Sequence, residues 1–246
     1  MTNDMSARIW ASESLNNRTM THDRETLMKA IRERHSVRAY ENRPLDGGIV
    51  TRLQEEIDAC NIEGGLHLQL VTDEPDAFST AIARYGHFSN VSNYVALVGK
   101  KSDDLDERLG YYGERIGLLA QALGLNTCWV GVSFSKRKGR FDIPSGEKLR
   151  GVISIGYGST SGSRHRVKGL HDVTDCVEPY PTWFAAGMEA VMLAPTAMNQ
   201  QKFRFSITPE GVEAKAGFGF YTRMDLGIVK LHFEIGAGKE NFRWAD

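Results

Sequence analysis

Apolar residues recur along the chain with two different spacings, which predict a mixture of helices and strands. Helical spacing begins with Leu27, Ala30 and Ile31 in residues 24–34 and returns in IVTRLQEEIDAC (49–60). DAFSTAIARYG (76–86) and WFAAGMEAVMLA (183–194) are also typical of helices. The longest helix is predicted over residues 104–124, where acidic residues occupy the first turn and Gly124 takes the place of a left-handed C-cap.

Apolar patterns typical of strands appear between these helices. LHLQLV (66–71) alternates like a half-buried strand, and NYVALVG (93–99) is a near-continuous apolar run typical of a buried strand. NTCWVGVSF (126–134) and GVISIGYGS (151–159) have the same character. After Phe203 and Phe205, the turn residues at 209–211 predict a hairpin. No internal repeat or linker is evident, so the pattern predicts one compact α+β domain.

The composition excludes several classes of protein. The chain has 246 residues, 41% hydrophobic and 25% charged, with a formal net charge of -1. A nucleic-acid-binding protein would need a surplus of Lys and Arg, and no apolar run approaches the roughly 20 residues that cross a bilayer. The three cysteines do not form a disulfide framework. We therefore expect a cytoplasmic protein with small-molecule partners, and neither nucleic acid nor a membrane among its partners.

The N-terminal segment MTNDMSARIWASESLNNRTMTHD lacks the apolar core of a signal peptide and is rich in Ser and Asn. We expect residues 1–22 to be a disordered extension. Residues 23–246 are then expected to be a single domain.

Three loops carry residues suited to chemistry, although each also has a plain structural interpretation. RHSVR (34–38) offers two arginines around a serine, which suits a phosphate or simply a solvated basic turn. GYGSTSGSRHRVKG (156–169) resembles a phosphate cradle or a flexible surface loop. APTAMNQQKFRF (194–205) places uncharged polar groups between a helix and a strand, which suits the edge of a planar heterocycle or a well-capped turn.

Hydrolytic and metal chemistry find less support. The sequence contains no G-x-S-x-G and no H-E-x-x-H motif. A loose cluster, His171, Asp172, Asp175 and Cys176, does not have convincing ligand spacing, so no metal site is predicted. Cys128 lies in LGLNTCWVGVSF (123–134), whose apolar character disfavours a reactive thiolate.

In combination, these motifs resemble the FMN-dependent nitroreductase family, in the branch whose flavin loop comes late. RHSVR (34–38) matches its opening Arg-x-Ser-x-Arg motif, and AQALGLNTCWVG (120–131) matches its central motif. RHRVKG (164–169) matches its basic loop. PTAMNQQ (195–201) matches its Pro-Ser-x-x-Asn-x-Gln-Pro loop, with Lys202 in place of the last proline. The resemblance covers residues from about 24 to the C-terminus.

The resemblance implies a nitroreductase-like fold, a central and mostly antiparallel sheet flanked by helices. In most members the Pro-Ser loop follows soon after the opening motif, and the flavin lies at a homodimer interface. Because the loop comes late here, we expect residues 176–246 to stand in for the partner subunit and to complete the site on a core of residues 23–175. A monomer is then plausible, and a homodimer stays open. DLGIVKLHFEIGAG (225–238) alternates like a strand, but the resemblance implies a helix there.

The implied activity is hydride transfer from NADH or NADPH to N5 of FMN and then, in ping-pong fashion, to a nitroaromatic, a quinone or a similar acceptor. Arg34, Arg38, Arg166 and Lys168 would neutralise the phosphate, and Arg34 would also favour the reduced ring. No side chain is required as a general acid or base, so no catalytic residue is named. The implied cofactor-binding residues are Arg34, His35, Ser36, Arg38, Trp129, Gly131, Arg166, Lys168, Pro195, Thr196, Ala197, Asn199 and Gln201.

Two alternatives share the same binding motifs. One is a flavin-binding protein without nicotinamide turnover, serving as a sensor or a store. The other is an enzyme that acts on reduced FMN itself, although no evident lid insertion supports it. Reduction of the bound flavin by a nicotinamide cofactor separates these alternatives from the oxidoreductase.

Overall fold

A computed structural model describes residues 23–245, so the predicted N-terminal extension, residues 1–22, lies outside the described residues. The described helices are α1 (Arg24–Glu33), α2 (Gly47–Gly64), α3 (Ala81–Tyr85), α4 (Leu105–Ala122), α5 (Thr182–Met192) and α6 (Thr222–Ala237). The described strands are β1 (Gln69–Val71), β2 (Tyr94–Lys100), β3 (Asn126–Val130), β4 (Glu147–Gly156), β5 (Phe203–Thr208) and β6 (Gly211–Ala216).

Four strands form an antiparallel sheet in the order β1-β2-β4-β3, and β5 and β6 form a separate antiparallel hairpin. Helices flank the sheet, so the predicted α+β architecture with a mostly antiparallel sheet is confirmed. β2 is buried along its length except at Lys100, which explains its continuous apolar run. Gly124 has φ 81°, the left-handed conformation expected just beyond α4.

β1 is shorter than its alternating pattern predicts. Leu66 forms only an isolated bridge to Gly99, and regular pairing begins at Gln69. The Asn61 side chain binds both backbone groups of Leu68, accepting from its N–H at 2.7 Å and donating to its carbonyl at 2.9 Å. Those groups are therefore engaged by α2 rather than by a neighbouring strand.

The segment 225–238 is helical, as the family resemblance implies, and its alternation is misleading. Fourteen of the sixteen residues of α6 are buried, including Leu226, Ile228, Val229 and Leu231. A helix buried on nearly all sides has apolar residues on every face, so its helical period is hidden and a chance alternation stands out. α6 is thus a core element, with α4 on one side and α5 on another.

α4 and α6 approach each other very closely at a pair of glycines. A Cβ on Gly110 would lie 2.0 Å from the carbonyl oxygen of Met224, and a Cβ on Gly227 would lie 1.9 Å from that of Glu107. The contact is reciprocal, because the sequence offset that relates Gly110 to Gly227 also relates Glu107 to Met224. Such an exchange of equivalent contacts is the mark of a two-fold interface.

The elements around this contact follow the same order twice. α2, β1, β2 and α4 form a helix–strand–strand–helix unit, with α3 inserted between its strands, and α5, β5, β6 and α6 form a second. The strand pair is antiparallel in each unit. Within residues 23–245, no helix is both long and apolar enough to cross a membrane.

Candidate functional site

A cleft of about 500 Å³ lies where the opening motif, the end of β3, the 195–201 loop and the start of α6 meet. Its walls are mostly apolar, with a few polar groups among them. The residues that line it are Ser36, Arg38, Leu97, Cys128, Trp129, Val130, Gly131, Val132, Arg150, Gly151, Pro195, Thr196, Ala197, Met198, Phe220, Tyr221, Met224, Asp225 and Ile228.

β3 is an edge strand, and its outer edge borders the cleft. Thr127 offers its carbonyl on that edge, where it accepts from the Val37 N–H at 3.0 Å. Because backbone groups two residues apart in a strand point the same way, the N–H and C=O of Trp129 also lie on this outer edge. A glycine follows at Gly131, where a Cβ would meet the Tyr221 ring at 2.8 Å. The cleft wall therefore presents the strand backbone at Trp129, and at Gly131 the Tyr221 ring fills the space that a side chain would take.

The opening motif divides between the cleft and the protein interior. Ser36 and Arg38 line the cleft. Arg34 is only 5% exposed and turns inward, with its Nε 3.9 Å from Oε1 of Glu114. Arg34 therefore lies outside the cleft lining, and its contact with a reduced flavin stays a prediction.

The Gly/Ser segment that leads into the basic loop (164–169) packs beside the opening motif. Gly162, at φ 69°, lies so close that a Cβ there would be 2.8 Å from Cβ of His35. The pKa of His35 is lowered by burial and by the neighbouring charges of Arg34, Arg164 and His165. The neutral form of His35 is therefore favoured, and the positive charge that suits an anionic group here comes from the arginines.

The 195–201 loop is joined to the basic loop by its own polar side chains. Gln201 is 3% exposed; its Oε1 accepts from the Lys168 N–H at 2.9 Å and its Nε2 donates to the Arg166 carbonyl at 2.8 Å. Asn199 donates to the same carbonyl at 2.7 Å. The structure thus brings the two predicted loops together. It places Pro195, Thr196 and Ala197 in the cleft wall but Asn199, Gln201, Arg166 and Lys168 outside it, as it does His35.

The 195–201 loop holds three non-glycine residues in the left-handed region. The φ angles are 51° at Met198, 53° at Asn199 and 46° at Gln201. Residues other than glycine adopt this region at a cost and persist there only when surrounding contacts hold them. The hydrogen bonds of Gln201 and Asn199 supply part of that restraint.

Asp225, in the first turn of α6, supplies another part of the restraint on the 195–201 loop. Its Oδ1 accepts from the Ala197 N–H and its Oδ2 accepts from Nε2 of Gln200, both at 2.9 Å. Burial raises the pKa of Asp225 to about 6, even though both hydrogen bonds favour the ionised carboxylate. The sequence pattern does not single out this residue; its one signal is a lone carboxylate at the start of an apolar segment.

A buried polar network lies behind β3. Glu114 of α4 is 1% exposed; it accepts from the Trp129 indole N–H at 2.8 Å, and its other oxygen lies 3.0 Å from Nε2 of His232. Burial opposes ionisation of Glu114, but the bond to His232 and the charge of Arg34 outweigh it and hold the pKa below its usual range. The network connects the inward-turned Arg34 to the Trp129 wall of the cleft.

The cleft also contains residues that the motifs do not indicate. Arg150 is paired bidentately with Asp106, and the Tyr221 hydroxyl donates to the carbonyls of Gly131 and Arg150, each at 3.3 Å. Cys128 lines the cleft, and burial raises the pKa of its thiol, so it is not an activated nucleophile. Val132, Met198 and Phe220 are largely exposed at the rim.

Comparison with known proteins places the chain in a family. The family described as "Putative TM nitroreductase" matches residues 26–237. The chain belongs to this family and is therefore a nitroreductase-type oxidoreductase acting on small molecules. A search of curated proteins found no match.

Solved structures share the fold at low sequence identity. A "putative nitroreductase" from Thermotoga maritima is 21% identical, with 91% of this chain and 88% of that chain covered and a TM-score of 0.64. A nitroreductase-like protein from Streptococcus mutans is 12% identical, with 61% and 97% covered and a TM-score of 0.52. A "putative nitroreductase" in complex with FMN, from Desulfovibrio desulfuricans, is 18% identical, with 63% and 98% covered and a TM-score of 0.50.

Proposed function

We propose that the chain is an FMN-dependent NAD(P)H oxidoreductase that reduces a nitroaromatic, a quinone or a similar small acceptor. The observation that carries the proposal is the single cleft where the opening motif, the edge of β3 and the 195–201 loop converge. Bound FMN would supply the redox chemistry, accepting a hydride at N5 from NADH or NADPH and passing it to the acceptor in ping-pong fashion. The FMN-bound relative from Desulfovibrio desulfuricans supports this choice of cofactor.

The residues of the cleft fit a planar cofactor with an anionic tail. A volume of about 500 Å³ with mostly apolar walls is typical of a small-molecule site. Ser36 and Arg38 offer a hydroxyl and a guanidinium from one wall, which suits a phosphate. The outward backbone of Trp129 suits the edge of a flat ring, and Gly131 makes room for the Tyr221 ring beside it.

The remaining predicted residues have indirect roles in this proposal. Arg34, Arg166 and Lys168 contribute positive potential at the phosphate end, and His35, whose lowered pKa favours the neutral ring, offers a hydrogen bond there. Thr196 bonds the ring edge or the ribityl chain directly. Asn199 and Gln201 act by fixing the 195–201 loop on the basic loop, because their side chains are already engaged there.

We further propose that residues 176–246 replace the partner subunit of a homodimeric relative. The reciprocal contact of Gly110 and Gly227, and the helix–strand–strand–helix order that occurs twice, support this assignment. The site residues Pro195, Thr196 and Ala197 come from residues 176–246, whereas Ser36 and Arg38 come from the core of residues 23–175. One chain then holds one complete site. Size-exclusion chromatography with light scattering is expected to give the monomer mass of 27.4 kDa; a stable dimer contradicts the proposal.

Anaerobic titration of the purified, FMN-saturated protein with NADPH and then NADH tests the activity. Loss of the visible flavin absorbance, at a rate well above that of free FMN in the same buffer, is the expected result. The acceptor is then identified by reoxidation with air, a quinone or a nitroaromatic. If FMN binds and neither nucleotide bleaches it, the protein is not a nicotinamide-dependent reductase. If FMN does not bind, the cofactor assignment itself is wrong.

A further inference from the structure

Asp225 is a buried carboxylate in the cleft wall, with no cationic partner among the described residues. It is 2% exposed, and its hydrogen bonds come only from a backbone N–H and an amide. The charged and titratable side chains of the cleft and of the packed α4 helix are engaged elsewhere or form no bond to it. In the cleft they are Arg38 over the Phe88 ring, Cys128, Arg150 on Asp106 and Tyr221 on two carbonyls. On α4 they are Glu107 on Lys230, Arg108 on Asp104, Tyr111 on Glu234, Tyr112 beside Arg115, Glu114 on Trp129 and His232, and Arg115 on Glu56 and Glu63.

A buried carboxylate without a cationic partner opposes folding. Moving a carboxylate out of water is unfavourable unless a cation or several hydrogen bonds compensate it, and Asp225 has two neutral donors only. Asparagine has nearly the same shape and no charge. A carboxylate at a destabilising position beside a ligand cleft is a candidate for a functional role.

The contacts of Asp225 indicate what that role is. Both of its oxygens bind the 195–201 loop, at the Ala197 N–H and at the Gln200 side chain. Gln200 also donates to the Phe220 carbonyl, so it connects the loop to the residues before α6. A loop with three strained φ angles needs restraint from outside itself, and Asp225 provides it on the side facing the cleft.

The other unit of the fold offers an internal comparison. The offset between Gly110 and Gly227 relates Asp225 to Arg108, which donates to the Gly64 carbonyl at 2.6 Å and the Gly65 carbonyl at 3.3 Å. The same position of the last helix therefore holds the C-terminal end of the first helix in one unit and the loop after the first helix in the other. In the first unit a cation binds carbonyls; in the second an anion binds donors of the loop that lines the cleft.

We propose that Asp225 is the positioning residue of the 195–201 loop, and that the ionised carboxylate holds this loop in the FMN-binding conformation at the expense of fold stability. Protonation of Asp225 adds a donor where Gln200 already donates, and so releases the loop. The inference rests on the proposed FMN site.

The Asp225→Asn variant tests the positioning role of Asp225. The quantity measured is the FMN dissociation constant of the variant divided by that of the wild type. The FMN phosphate itself titrates near pH 6, and His35 and His165 lie nearby, so the pH profile of the wild type alone is not decisive. The ratio removes those shared effects. It is expected to be about 10 at pH 8, for the loss of a hydrogen bond to a charged acceptor, and to fall to about 1 at pH 5.

Thermal melting of the FMN-free protein provides an independent readout. A carboxyl with a raised pKa destabilises the fold once it ionises, so wild-type stability falls between the ordinary Asp pKa of about 3.9 and about pH 6. The melting temperature of Asp225→Asn relative to wild type is expected to rise by about 5 °C across that window and to stay level above it. A merely structural role predicts a variant that is less stable and binds FMN more weakly at every pH.

The outcomes are distinguishable. Asp142→Asn, an exposed aspartate outside the cleft lining, is the matched control and is expected to behave as wild type in both assays. A ratio that does not change with pH, or a variant that binds FMN as tightly as wild type at pH 8, overturns the role of Asp225 and leaves the FMN site standing. A wild type that binds no FMN at pH 8 overturns the proposed function as well.

Discussion

Gly110 of α4 and Gly227 of α6 occupy equivalent positions on either side of one contact. Each lies against the backbone of the other helix, with room for no side chain at either position. This contact brings the N-terminal end of α6, and with it Tyr221, Met224 and Asp225, to the cleft. The spacing of two helices thus determines where the second unit meets the first.

Substitution of either glycine is expected to separate the two helices. Gly110→Ala or Gly227→Ala places a methyl group about 2 Å from a backbone oxygen, which backbone movement alone can relieve. We expect each to lower the free energy of unfolding by about 3 kcal/mol or more, measured by urea denaturation. The double variant should lose less than the sum, because both substitutions open the same contact.

Gly48→Ala is the matched control for these variants. Gly48 lies in α2, and nothing lies within 4 Å of a Cβ placed there. The substitution is expected to raise the free energy of unfolding by up to about 1 kcal/mol through helix propensity. Additive losses in the glycine double variant would contradict the shared contact.

Arg38 is expected to act on the phosphate of FMN. Arg38→Ala should weaken FMN binding by about 10- to 100-fold, the effect of losing a charge-assisted hydrogen bond, and should change riboflavin binding little. Fluorescence titration with both ligands measures the difference. Arg52→Ala, at a partly buried position of α2, is the control. An equal loss for FMN and riboflavin would place Arg38 beside the ring instead.

The three thiols are expected to react at different rates. Cys60 and Cys128 are buried, and burial raises the pKa of each thiol, whereas Cys176 is partly exposed. Because the thiolate is the reacting form, a chromogenic disulfide reagent at neutral pH should titrate about one thiol in the native protein and all three in denaturant. Cys176→Ser should remove the native reaction. Fast reaction of a second native thiol would contradict the burial of Cys60 or Cys128.

Glu114 is expected to stabilise the fold in a pH-dependent way. Glu114→Gln leaves Arg34 and His232 without their carboxylate, and removal of one partner from a buried pair costs about 3 kcal/mol or more. Its pKa is lowered in the folded state, so the contribution is complete above the ordinary value of about 4.3 and is lost as pH falls below it. Urea unfolding at pH 7 and pH 3.5 measures both.

An exposed glutamate separates this effect from a general loss of charge. Glu33→Gln removes an exposed partner of Lys29 on α1 and is expected to change stability little at either pH. If Glu114→Gln is no worse than Glu33→Gln at pH 7, the buried network does not support the cleft wall.

The sequence indicates the elements and the loops better than it indicates side-chain direction. The periodicity predicts the helices and the strands, because each is a local signal, whereas the antiparallel sheet and the meeting of the three loops follow from the family resemblance. Asn199 and Gln201 are the right residue types for a heterocycle, yet their side chains bind the backbone of the basic loop. A polar residue in a loop has the same sequence signature in both cases.

Long-range pairing accounts for the remaining differences. Arg34 turns inward because Glu114, eighty positions away, offers it a buried carboxylate. Asp225 belongs to the cleft because the contact at Gly227 places its helix there, which no local pattern indicates. The helical state of residues 225–238 follows from the family resemblance and from burial on all sides, against the local alternation.

The two walls of the cleft are parts of one covalent chain. A site shared between separate subunits falls apart when the protein is diluted below the dissociation constant of the dimer. Here Arg38 and Ala197 are joined by the polypeptide, so the walls meet at an effective concentration that dilution does not change. Under the proposal that residues 176–246 replace a partner subunit, each unit is also free to vary without imposing the same change on a symmetry mate, as the opposite charges of Arg108 and Asp225 illustrate.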